Sequence, residues 1–221
     1  MVLVFVNVLR QFGPQGTGLV LGPPVAIALV ILARRSGLSW EDLGLARHTW
    51  SRGAVYAAVA VVLVLAAFSL AALLPLTRTA FLDARYHLAP GQALLTALVI
   101  IPLGTVLLEE VAFRGVLQGL LTRHRGFRWG LGCSSILFGV WHVMPSLGLS
   151  RTNQALAGVI GAGRAGQVAV VLAVVAFTSV AGLLLGELRR RSGSLLAAAG
   201  LHWATNGAGV LVATVVYVLA G

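Results

Sequence analysis

The chain has no lysine, a single cysteine at Cys133, and six acidic residues among 221. One cysteine excludes a disulfide-stapled scaffold. Charged residues make up 10% of the sequence, against roughly 25% in an ordinary soluble domain. That leaves too little polar surface for a water-soluble globule of this size. The chain also lacks the low hydrophobicity of disordered proteins: 58% of residues are hydrophobic and the mean hydropathy is +0.95. What remains is an integral membrane protein. The missing lysine, beside so much Ala, Val, Leu, Gly and Arg, reads as the composition bias of a bacterial genome, which makes the plasma membrane the expected location.

All sixteen basic residues are arginines, and the formal net charge is +10. In a soluble protein that balance would suggest nucleic acid. Here the arginines fall mostly between apolar runs, which is a membrane-topology signal, so no nucleic-acid partner is expected. A spanning helix needs about 20 mostly apolar residues. Six stretches qualify or nearly do: about Gly18–Ala33, Ala54–Leu76, Gln92–Leu121, Trp129 past Met144, Gln167–Leu185 and Ser194–Leu219. A break near Gly207 or Gly209 in the last would give a seventh. The opening apolar segment ends at Arg10, is too short to span, and is not read as a cleavable signal peptide. The expected architecture is an all-α polytopic bundle forming one domain over residues 1–221.

Ten arginines fall on one side of this framework: Arg34, Arg35, Arg47, Arg52, Arg123, Arg125, Arg128 and Arg189–Arg191. Five fall on the other: Arg10, Arg78, Arg85, Arg151 and Arg164. The positive-inside rule puts the ten-arginine side in the cytoplasm and both termini outside.

An ionisable group in a bilayer costs at least about 2.5–3.5 kcal/mol, so charges inside spans need an internal reason. The third span carries Glu109, Glu110 and Arg114. Glu110 and Arg114 are four residues apart and share a helix face, where a buried pair can neutralise itself. That pair reads as structural. Glu109 points about 100° away and is the acid left to face a cavity, where it suits a general base. The fourth span holds Phe138 and His142, and the sixth His202 and Asn206, each at the same four-residue spacing. Phe138 reads as packing against the His142 imidazole. Polar groups inside spans face the bundle interior. If these clusters converge, the site holds two carboxylates, two imidazoles, an amide and an arginine, enough to activate water and stabilise an oxyanion. As bounded, Glu109, His142 and His202 sit at different distances into their spans. They meet only if the third span starts deeper or tilts. His48, His87 and His124 lie in loops and read as solvated.

Other matches carry no chemistry. Gly161-Ala-Gly163-Arg-Ala-Gly166 fits a dinucleotide fingerprint, but no strand precedes it, so no nucleotide is expected. Gly115/Gly119 and Gly182/Gly186 fit close helix packing. No H-E-x-x-H run is present. Ser134 and Ser135 lack a neighbouring base, which argues against a serine protease. Cys133 reads as a small apolar residue.

The order E109-E110-x-x-F113-R114, F138-x-x-x-H142, H202-x-x-x-N206, with R-S-G-S-L leading into the last span, resembles the three-motif signature of the CPBP intramembrane proteases. These are also called the CAAX protease or bacteriocin-processing family, and are related to the Ras-converting endopeptidases. The resemblance covers about residues 91–209. It implies a helical bundle with an intramembrane cavity and an endopeptidase acting on membrane-associated peptides or proteins, of CAAX type or similar. Glu109 would activate water and His142 would help hold it. His202 and Asn206 would stabilise the oxyanion, while Glu110 and Arg114 would lock the helices. It also implies either a metal-free glutamate mechanism or Zn²⁺ held by Glu109, His142 and His202 with one open position. Two other functions stand beside it. A catalytically silent scaffold or immunity-type protein on the same fold would be expected to lose polar positions, and all six are filled. A transporter would show paired repeats with broken helices, which this sequence does not.

Overall fold

The computed structural model describes residues 2–14, 16–82, 87–149 and 163–220. Arg85 and Arg151 of the topology reading, and Gly161 of the discarded fingerprint, lie outside the described residues. Among the described residues there is no strand. Apolar runs in lipid must satisfy their backbone N–H and C=O groups within the segment, which helices do. Among the described residues, seven longer helices organise the fold: α1 (Val2–Phe12), α2 (Thr17–Arg35), α3 (Trp50–Leu73), α4 (Pro90–Arg125), α5 (Phe127–Trp141), α6 (Arg164–Ser192) and α7 (Leu195–Leu219).

Five of these, α2, α3, α4, α6 and α7, are long and apolar enough to cross a membrane. The sequence reading expected six. The difference is α5, which has 15 residues and stops at a turn on His142 before a short helix, Val143–Ser146. The expected fourth span is therefore a broken helix whose break falls on a candidate site residue. The C-terminal span does not break at Gly207 or Gly209; it continues through one wide π turn, Ala204–Ala208.

Helix α7 is the most enclosed span, whereas α3 leaves Val55, Val59, Val62, Leu63 and Leu70 exposed, as a lipid-facing helix does. Helices pack closely in lipid where small residues let backbones approach. A Cβ on Gly182 of α6 would lie 2.9 Å from Ser135 Cα of α5, and one on Gly200 of α7 would lie 2.4 Å from Ala57 Cβ of α3. On Gly119 of α4 it would meet the Asp42 carbonyl at 2.7 Å. Gly119 thus packs on the loop between α2 and α3 rather than on a helix.

That loop gathers the arginine-rich ends. Arg34 donates to the Leu38 carbonyl at 2.5 Å, Arg123 to Gly37 at 2.6 Å, and Arg189 to Asp42. The Leu195 amide, at the start of α7, donates to Gly44. Leu38 and Leu43 are fully buried beneath it. The C-terminal ends of α2, α4 and α6 therefore meet at one loop, together with the start of α7, and carry most of the ten grouped arginines.

The same arrangement removes the mismatch in depth. Helices α4 and α5 form a hairpin about Gly126, which takes φ 84°, a conformation glycine adopts without strain. Glu109 lies seventeen residues before this turn and His142 sixteen after it, so both stand roughly 25 Å down the hairpin at 1.5 Å per residue. Helix α7 needs fewer residues to reach that level because it starts deeper. Its N-cap Ser194 is fully buried under the loop, and its side chain accepts from the Leu196 amide.

Candidate active site

Glu109 and Glu110 sit where α4 changes winding. Leu107–Glu109 is α-helical and Glu110–Leu117 is a π-helical stretch. Such wide turns are rare and concentrate at functional sites. All residues from Glu109 to Gly115 are buried.

Arg114 Nη1 lies 3.1 Å from Glu110 Oε1, and both side chains are 1% exposed. The contact is one of charge rather than an aligned hydrogen bond, since Arg114 Nη1 and Nη2 have no hydrogen-bond partner among the described residues. The guanidinium carbon stands 3.7 Å from the centroid of Phe138, a cation–π geometry. The same ring meets His142 at 4.6 Å and His202 at 5.6 Å, edge-on in both cases. Phe138 therefore touches groups from α4 and α7 as well as its own neighbour one turn on, which exceeds the packing role expected for it.

His202 Nδ1 is 2.7 Å from Glu110 Oε1, and its Nε2 is 3.7 Å from Glu109 Oε2. His142 Nδ1 is 2.7 Å from the Phe138 carbonyl. An acceptor on each Nδ1 assigns a proton there, which leaves Nε2 as the nitrogen that a neutral ring would present bare. Glu109 Oε2 is buried and has no hydrogen-bond partner among the described residues. Asn206 is half-buried, one turn beyond His202 and inside the π turn of α7. The structure thus brings Glu109, Glu110, Arg114, Phe138, His142 and His202 together, with Asn206 next to His202 in sequence.

One contributor was not anticipated. Arg10, placed in a loop by the topology reading, lies on α1 and reaches Glu109 Oε1 at 3.1 Å. It also donates to Thr105 Oγ1 at 2.8 Å. Asn7 on the same helix donates to the Trp141 carbonyl at 2.8 Å, next to His142. With Arg10 counted, two guanidinium groups face two carboxylates. The sequence held a signal: Leu3, Val6, Asn7 and Arg10 recur at the three- and four-residue spacing of one helix face.

His48 and His124 are exposed. His87 is exposed too, and its ring stacks on Tyr217 at 4.6 Å. Ser134 and Ser135 donate to the carbonyls of Phe113 and Leu131.

No set of three or more His, Cys, Asp and Glu side chains stands at metal-holding distance among the described residues. Glu109 Oε2 and His202 Nε2, two of the three candidate donors, stand 3.7 Å apart.

No curated protein and no solved structure matches the chain. The family model for Rce1-like type II CAAX prenyl endopeptidases matches residues 90–208. This stretch exceeds half the chain, runs from the start of α4 into the π turn of α7, and contains all seven residues predicted from the sequence. The chain is an integral membrane protein and belongs to this Rce1-like family.

Proposed function

We propose that the protein is an intramembrane endopeptidase that hydrolyses peptide bonds of membrane-associated substrates by glutamate-activated water. One observation carries this reading: a buried carboxylate oxygen, Glu109 Oε2, has no hydrogen-bond partner among the described residues and stands 3.7 Å from an imidazole nitrogen. Its sister oxygen is already engaged by Arg10. The unpartnered oxygen takes a proton from water, and the hydroxide oxygen attacks the scissile carbonyl carbon. His142 Nε2, a bare acceptor, helps hold that water. Electron density moves onto the carbonyl oxygen, and Asn206 donates an N–H to it. His202 Nε2 is near enough to share the proton held by Glu109 after a small approach. As an imidazolium it also donates to the oxyanion. The proton passes to the amide nitrogen as the C–N bond breaks. Glu110 fixes the tautomer of His202 through Nδ1, and Arg114 holds Glu110 and Phe138 in place.

Zinc would find its donors in Glu109 Oε2 and the two Nε2 atoms, and would polarise water and the scissile carbonyl. As these donors stand they do not gather around one ion, so every step above is assigned to side chains.

The test compares membrane-protein termini by mass spectrometry in cells carrying wild type or Glu109→Gln at matched expression. New termini present with wild type and absent with the variant are expected. Identical termini with a folded variant would leave a silent scaffold on this fold.

A further inference from the structure

Helix α1 lies outside the matched region, yet it supplies Arg10, which binds Glu109 Oε1. It is held at three points. Val6 is buried in a cluster with Leu108 and Val111 of α4. Asn7, also buried, is bonded to the Trp141 carbonyl. Arg10 grips Thr105 Oγ1 as well as Glu109. Room for the guanidinium comes from a backbone-to-backbone approach of α2 and α4. A Cβ on Gly18 would lie 3.0 Å from the Gly104 carbonyl and 3.3 Å from Arg10 Nε. Both glycines are therefore part of the socket.

We infer that Arg10 is a positioning residue for Glu109: it immobilises Oε1 and thereby commits Oε2 to the water and to His202. A lone carboxylate on a helix can turn about its side-chain bonds and present either oxygen. Anchored on one oxygen by a cation, which is itself tied to Thr105, it presents only the other. Misplacement of a reacting group by 1 Å can cost about a hundredfold in rate. Arg10 bonds Oε1 and Thr105 and not Oε2, so its contact braces the carboxylate without taking up the second oxygen. The far side of Arg10 faces a polar cavity of about 330 Å³ lined by Gly13, Gly18, Gly104 and Thr105.

This inference rests on the proteolytic reading, and two measurements keep the failures apart. The first needs no substrate. Arg10→Gln, Glu109→Gln and the double variant are melted in detergent. The double variant is expected to lose less than the sum of the single losses, because the second change removes a partner already gone. Strict additivity would overturn the inference. The second uses termini that depend on Glu109. Arg10→Ala is expected to slow their formation roughly 10–100-fold, as loss of a supporting partner does. The loss should fall on kcat with KM kept. Arg10→Lys should recover part of the rate, and methylguanidinium added to Arg10→Ala should recover more. Cleavage by Arg10→Ala at or above the wild-type rate would overturn the inference and make α1 an inhibitory contact. Coupling in the melts with no Glu109-dependent termini overturns the proteolytic reading, and the positioning role with it.

Discussion

Arg114→Ala should damage the fold more than any single change in the chemistry. The guanidinium is 1% exposed, sits 3.1 Å from Glu110 Oε1 and lies over Phe138. Removing it leaves Glu110 buried with an uncompensated charge, which costs about 3–5 kcal/mol. Two features pull that figure in opposite directions. Glu110 keeps His202 Nδ1 at 2.7 Å, which holds the loss toward the lower end. The lost contact with the ring adds about 2 kcal/mol in a desolvated place. For a chain of this length each kcal/mol shifts Tm by about 2–4 °C, so the expected drop is about 6–20 °C. Tryptophan fluorescence in detergent reads it, with Trp141 reporting from the site. Arg114→Met combined with Glu110→Gln should melt closer to wild type than Arg114→Met alone, because both charges leave together. A drop for Arg114→Ala of less than about 2 °C would refute the argument.

Three further outcomes are expected. Glu109→Gln should abolish new membrane-protein termini while the folded protein stays in the membrane, as termini profiling and detergent melting together read. Gly200→Val should fail to accumulate or melt early, since its Cβ would lie 2.4 Å from that of Ala57 and overpacking of this kind costs about 1–3 kcal/mol; expression yield and Tm check it. Treatment with a zinc chelator should leave Glu109-dependent cleavage intact; loss that zinc alone restores would give Glu109, His142 and His202 the ligand role.

The four-residue spacings made the site legible, because a span forces polar side chains inward and helical geometry then says which pairs share a face. Glu110 with Arg114 follows directly. The joining of Glu109 to His142 was harder to see: it depends on a one-residue turn at Gly126 that places both at one depth. The deep start of α7 depends on a loop whose burial no local pattern announces. Arg10 was missed for a physical reason. Eleven residues cannot cross a bilayer, so the rules that score spans pass over a short helix that enters only part of the way. The fifth helix was mistaken for a full span because apolar composition continues through His142 while the α-helix does not.

Phe138 has a consequence for how this chain tolerates change. One ring is in contact with Arg114, His142 and His202, groups carried by three helices. Any substitution that alters its width is felt at all three at once, and changes among these four positions should combine non-additively. In evolutionary terms they form one epistatic unit. A viable variant at Phe138 would need compensating changes on α4 or α7, and a neutral path through sequence space would cross this position rarely.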